Sequence, residues 1–315
     1  MTSEHIPRCV ISLTRALVLT HALIVLPASA AGDPIRIVAS FSILGDMVQK
    51  VAGDLATVNT IVGPDADAHV YHPTVADAQA VAKADLIFVN GFGFETWGQT
   101  LIEESGTSAT IHVATMGITP LEVDGTTDPH AWNSLANGMI YVRNITHVLQ
   151  QSMPAHAQTI GNNADTFIGE LQRLDTEARA RLSALPADRR TVVTAHDAFG
   201  YLAAAYNLTF LAPQGIDTDA EPSARELAML IEQLKAQSPA ALFVENIASP
   251  ALVEQISKET GITIGGRLFS DALSERGGPA TSYLAMFRHN LSALLDALEH
   301  PPVACRDTDT GNTPC

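Results

Sequence analysis

Histidine and carboxylate are the side chains with which this chain can do chemistry, and their placement points to a bound cation. Neutral imidazole coordinates divalent metals at ordinary pH. His69 and His72 stand three apart in D-A-D-A-H-V-Y-H-P-T (residues 65–74), His130 lies in D-P-H-A-W-N (128–133), and His196 in T-A-H-D-A-F-G-Y (194–201). His69, His130 and His196 each sit in or beside a loop predicted at one end of a sheet. In α/β chains, ligands bind at the carboxyl ends of strands. Asp271, in L-F-S-D-A-L, follows a strand and a Gly-Gly turn and offers one oxygen ligand. Three imidazoles and one carboxylate make a closed tetrahedral set that zinc accepts readily. With Asp271 as a base instead, the three imidazoles would suit a zinc hydrolase, whose metal keeps an open water position. The chain has no H-E-x-x-H motif to support that reading. Asp67, Asp128, Asp197 and Glu245 are placed to hold the outer N–H of a ligating imidazole, although each also reads as a solvated or capping carboxylate. His147, His156, His289 and His300 read as solvated groups on helices or helix ends, and His112 as a structural residue in a strand.

The elements that must position these groups alternate between short apolar runs and amphipathic stretches, the grammar of a parallel α/β fold. Strands are predicted at 35–40, 58–62, 85–90, 110–114, 191–195, 209–211, 241–244 and 262–264. Helices are predicted at 43–51, 74–82, 95–104, 137–151, 199–206, 222–237, 251–260 and 280–298. Between the halves, a long helix is expected from Pro154 to about Leu185, with Phe167, Leu171, Leu174 and Ala178 forming one apolar stripe; at ~1.5 Å per residue it would be about 45 Å long. The stretch 73–90 echoes 222–246: both run proline, helix, then an apolar strand ending at asparagine. That echo fits either a duplicated lobe or shared βαβ grammar.

Arg8 and Arg15 precede an apolar run (16–26) and a small-residue stretch ending in Ala30-Ala31, the order of a secretory signal peptide cleaved near that pair. The run is too short to span a bilayer. The chain therefore divides into a signal peptide (1–31), an N-terminal α/β lobe (32–152), a connecting helix (153–186) and a C-terminal α/β lobe (187–315). With 18 basic against 34 acidic residues, a net charge of −16, the protein repels nucleic acid and anionic lipid. Of three cysteines, Cys9 lies in the leader. In an oxidising compartment, Cys305 and Cys315 are expected to form a disulfide that clips the tail. A cysteine nucleophile is excluded.

Taken together, D-A-H-V-Y-H-P-T, D-P-H-A-W-N, A-H-D-A-F-G-Y-L-A-A-A-Y-N-L, L-F-V-E-N and L-F-S-D-A-L resemble the TroA-like, cluster A-I solute-binding proteins, which deliver zinc or manganese to ABC importers. The resemblance spans essentially the whole mature chain. It implies two Rossmann-like α/β lobes joined by one long rigid helix, with metal in the interlobe cleft. It further implies His69 and His130 as first-lobe ligands and His196 and Asp271 as second-lobe ligands, with no catalysis. Manganese members commonly carry glutamate where His196 stands, so a third imidazole favours Zn2+ over Mn2+. His72 occupies a position that is usually acidic, and is read as a surface or supporting group. The segment before His130 lacks the His-rich loop frequent in zinc-uptake members, which weakens a scavenging role. The implied partner is a membrane permease, with a metal chaperone a further candidate, and the protein is expected to act as a periplasmic monomer.

Overall fold

In the computed structural model the chain is described at residues 1–2 and 34–299. The signal segment with its Ala30-Ala31 site, Cys9, His300 and the Cys305–Cys315 pair lie outside the described residues. The first half is built on β1 (Ile35–Phe41), α1 (Ser42–Ala52), β2 (Ala56–Val62), α2 (Val75–Ala82), β3 (Leu86–Val89), α3 (Gly98–Ser105) and β4 (Thr110–Val113). Its strands form a parallel sheet in the order β2-β1-β3-β4. A small hairpin, β5 (Glu122–Val123) and β6 (Thr126–Thr127), and α4 (Leu135–Ser152) complete this lobe.

The second half follows the same plan. It comprises β7 (Thr191–Val193), α6 (Gly200–Tyr206), β8 (Thr209–Leu211), α7 (Ala224–Gln237), β9 (Ala241–Glu245), α8 (Ala251–Thr260) and β10 (Ile264–Leu268). These strands form a parallel sheet in the order β10-β9-β7-β8. Renumbered within its own lobe, that is the first sheet's order read from the other edge. The two stretches that echo in sequence occupy matching places: α2 with β3, and α7 with β9. Each helix opens on a capping box, Thr74 with Asp77 and Ser223 with Glu226, in which side chain and backbone satisfy each other's free donors.

Between the sheets runs α5 (Ala157–Ser183), 27 residues or about 40 Å. It starts later than expected, because Pro154–His156 form a separate 3-10 turn. Phe167, Leu171, Leu174 and Ala178 are all buried along it, and each of the larger three contributes ~1.5–3 kcal/mol by leaving water. α5 touches α1 and α4 and also α6 and α9 (Tyr283–Glu299), so the helix packs against both lobes. No described helix is long and apolar enough to cross a membrane.

Three local expectations are corrected. The helix expected from Glu95 begins at Gly98. Glu95 instead turns inward, where its carboxylate accepts from Ser40 Oγ at 2.6 Å, Asn90 N–H at 2.6 Å and Gly91 N–H at 3.2 Å. The loop expected across 124–133 contains half of the β5–β6 hairpin, whose Asp124-Gly125 turn has φ of 50° and 82°, the left-handed pair a two-residue hairpin needs. The last strand runs from Ile264 through Leu268 rather than ending at Ile264, so Gly265-Gly266 is strand, not turn. A Cβ on Gly265 would stand 2.7 Å from Ala297 Cβ on α9, which explains a glycine in the middle of a strand.

Candidate metal centre

His69 lies in the loop after β2, His130 in the turn between β6 and α4, His196 just after β7 and Asp271 after β10. All four stand beyond strand ends, two from each lobe, and the fold brings them together. One ligand atom from each lies within 4.8 Å of every other. His69 Nε2 is 3.2 Å from His130 Nε2 and 3.2 Å from Asp271 Oδ2, and His196 Nε2 is 3.1 Å from the same oxygen. His130 Nε2 is 3.6 Å from Asp271 Oδ1. Donors ~2.0–2.1 Å from a tetrahedral zinc stand ~3.3 Å apart, so these separations match the edges of that polyhedron. All four residues are buried. Asp271 Oδ1 has no hydrogen-bond partner, an uncommon state for a buried carboxylate oxygen and the state expected of an atom that faces a cation.

Two of the imidazoles are held from behind. His130 Nδ1 is 2.8 Å from Asp128 Oδ1, which also accepts the His130 backbone N–H at 2.9 Å. His196 Nδ1 is 2.7 Å from Glu245 Oε2, within ion-pair range but off the line of a hydrogen bond. The other oxygen of Glu245 accepts the N–H groups of Ala195 at 2.8 Å and His196 at 3.0 Å. Both arrangements point Nε2 at the shared space, the outer-shell geometry typical of ligating histidine. Burial pulls the His130 imidazole down, but the Asp271 and Asp128 carboxylates outweigh it and hold the group at about 9. His196 is likewise lifted well above its ordinary value: burial opposes the charge, and Glu245 and Asp271 overcome it. Asp271 is held well below the usual carboxylate range, since His130 and His196 outweigh its burial. In the metal-free protein His130 and His196 thus hold protons against the Asp271 carboxylate.

The other singled-out residues divide. Asp67 accepts the His69 backbone N–H at 2.9 Å rather than touching a ring. Asp197 makes no ion pair with an imidazole among the described residues; burial, then the nearby Asp128 charge, raises its carboxyl. His72 is exposed and outside the group of four. His289, expected in solvent, sits with Nε2 3.0 Å from the Arg267 carbonyl and its ring against Phe269.

Several contributors were not singled out by residue type. Trp132 Nε1 donates to the Ser270 carbonyl at 2.8 Å, joining the residue two beyond His130 to the one before Asp271. Asn133 Nδ2 donates to Ala198 O at 3.0 Å, two residues past His196. Tyr201 Oη, from α6, donates to Asp128 O at 3.1 Å. Phe94 and Trp132 pack their rings 5.0 Å from His69 and 5.3 Å from His130, which keeps water from that side. The sequence signals were the tryptophan and asparagine of D-P-H-A-W-N and the tyrosine that ends T-A-H-D-A-F-G-Y, all already inside motifs.

Two parallel α/β lobes that share one buried cluster of donors define a class: two-lobed binding proteins with the ligand site between the lobes. Within that class, residues 37–297 match the family described as zinc-uptake complex component A, periplasmic, and the chain belongs to it. It is 34% identical over 284 residues to the iron-binding protein YfeA of Yersinia pestis, covering 89% of this chain and 91% of that one. It is 31% identical to the manganese-binding lipoprotein MntA of Halalkalibacterium halodurans, covering 86% and 90%. The structure of the periplasmic zinc-binding protein TroA from Treponema pallidum superposes with a TM-score of 0.81 at 28% identity, over 84% of this chain and 99% of that one.

Proposed function

We propose that this protein is a periplasmic carrier that captures Zn2+ between its lobes and delivers it to the permease of an ABC-type importer. His69, His130, His196 and Asp271 are the ligands in this reading, and Asp128 and Glu245 hold the second nitrogens of two of them. The convergence of three Nε2 atoms and one carboxylate, all buried, on a single space is the observation that carries it. Loading exchanges the ion's water for four protein donors and involves no bond-making step. Export as a monomer, with the permease as partner and a metal chaperone as a further candidate donor, completes the reading.

The metal is the open choice, because the relatives are named for iron, manganese and zinc. Three imidazoles favour zinc, whereas manganese prefers oxygen. One observation supports Mn2+ as the alternative. If the unpartnered Asp271 Oδ1 bound together with Oδ2, the set would become five-coordinate with two oxygens. A zinc hydrolase would need Asp271 outside the coordination sphere, and here its oxygen lies 3.1–3.2 Å from two of the imidazoles.

Elemental analysis with competitive zinc and manganese titration of the purified protein tests this reading. One zinc per chain, displaced weakly by manganese, is the expected result; preferential manganese retention moves the assignment. His196→Ala should weaken zinc binding by about 10³-fold or more, since one of four ligands is lost. Unchanged affinity by calorimetry would falsify the site.

A further inference from the structure

One carboxylate near the cluster faces two ways, and the ligand reading above does not use it. Asp67 Oδ1 caps the backbone N–H of His69 at 2.9 Å, and its Oδ2 accepts from Thr218 Oγ1 at 2.6 Å. Thr218 belongs to the other lobe, 151 residues along the chain. Its loop is bound in turn to the backbone around His196. Gln214 N–H donates to Ala195 O at 3.3 Å and Asp197 N–H to Gly215 O at 3.1 Å, while Gln214 Nε2 donates to Thr218 O at 3.1 Å and Ala220 O at 3.0 Å. The Thr218–Asp67 bond therefore joins the backbone of a first-lobe histidine to that of a second-lobe histidine.

Its place in the molecule matters as much as its partners. His69 is the least buried of the four donors, at 6% exposure against 0%, 0% and 1% for His130, His196 and Asp271, so solvent approaches the cluster from its side. Asp67 and Thr218 also line an open cavity of about 470 Å³ with Ala195, Gln214 and Glu221. Elsewhere the same first-lobe loop is pinned independently: Asp65 N–H donates to Leu273 O at 2.8 Å, and its carboxylate accepts from Asn246 Nδ2 at 2.9 Å and Glu275 N–H at 3.0 Å. Loss of the Thr218 bond would free the His69 end of the loop while Asp65 still ties it to the second lobe.

We infer that Thr218, acting through Asp67, is a positioning residue that sets how fast the metal leaves. The inference rests on the carrier reading. Surface loops open locally at low free energy, and a hydrogen bond to a carboxylate is among the stronger restraints on such opening. Removing a restraint on the loop that carries His69 acts mainly on dissociation.

The test is release of zinc from the loaded protein into an excess of chromogenic chelator, followed by stopped flow, with zinc association measured separately. Thr218→Val keeps the shape and removes the hydroxyl; release should quicken about tenfold while association changes by less than about twofold. Thr218→Ser restores the donor and should release near the wild-type rate. An unshifted thermal melt of metal-free Thr218→Val would show that the fold is intact. Release from Thr218→Val at the wild-type rate overturns the inference, as does Thr218→Ser releasing as fast as Thr218→Val. If His196→Ala loses zinc while Thr218→Val behaves as wild type, the latch alone is wrong; if His196→Ala also retains zinc normally, the carrier reading falls with it.

Discussion

The two lobes support their central imidazoles by different means. In the first lobe, His130 is held by Asp128, two residues upstream, through a contact internal to one turn. In the second, His196 is held by Glu245, 49 residues downstream, at the end of the neighbouring strand β9. The oxygens are used differently too. One Asp128 oxygen serves both the His130 backbone and its ring, and the other has no hydrogen-bond partner, lying where a Cβ on Gly200 would come within 2.6 Å of it. Glu245 divides its work: one oxygen takes two backbone N–H groups and the other faces the ring. One Asp128 oxygen thus meets neither the ring nor a backbone donor, whereas both Glu245 oxygens contact His196, one by hydrogen bond and the other by charge alone.

That contrast can be broken with two amide substitutions. Glu245→Gln should do the greater damage. If the amide oxygen keeps the two backbone N–H groups, the NH2 faces His196 Nδ1 and favours the tautomer with its proton on Nε2, the atom needed for metal. Zinc affinity should fall by about 100-fold, the upper end for loss of an outer-shell partner. Asp128→Asn can keep its oxygen on both His130 contacts and turn NH2 toward the unpartnered side, so a loss of less than about tenfold is expected. Calorimetric titration of both variants checks the order; equal losses would show that charge, not donor geometry, governs the two supports.

A smaller effect sharpens the comparison through protons. With His130 at about 9 and His196 well above its ordinary value, both carry protons in the metal-free protein near pH 7.5. Loading should release about two protons per zinc, and apparent affinity should rise with pH as His130, near 9, and His196 lose their protons. Calorimetry in buffers of different ionisation enthalpy counts these protons, and Asp128→Asn should reduce the number more than a distant surface change does. The sign for stability runs the other way. The raised histidines stabilise the metal-free fold below pH ~6.5, and that contribution is lost as pH rises through their folded values. Asp271, held low, contributes above its ordinary value and loses that contribution as pH falls through its depressed one.

Much of the architecture was legible because apolar periodicity is a local signal. The buried runs of β1, β3 and β9, the helix α8 and the α5 stripe all fall where the pattern placed them. The failures share a cause. Two-residue strands are too short to show alternation, so the β5–β6 hairpin left only its Asp124-Gly125 turn as evidence. Glu95 matched a helical pattern, yet free N–H groups at Asn90 and Gly91 competed for its carboxylate and delayed the helix. Gly265-Gly266 looked like a turn because the contact that demands glycine there comes from Ala297 on α9.

By itself the sequence determined the alternation of strands and helices, the repeated lobe plan and which histidines occupy loops beyond strand ends, since each is written in neighbouring residues. Only the tertiary structure decided that His69, His130, His196 and Asp271 share one dry space, that Glu245 rather than Asp197 backs His196, and that Thr218 reaches Asp67. Contacts between residues 49 to 202 apart leave no periodicity in the chain. They arise when two sheets and the helix between them are packed, and burial then makes close charges interact strongly enough to shift their proton affinities.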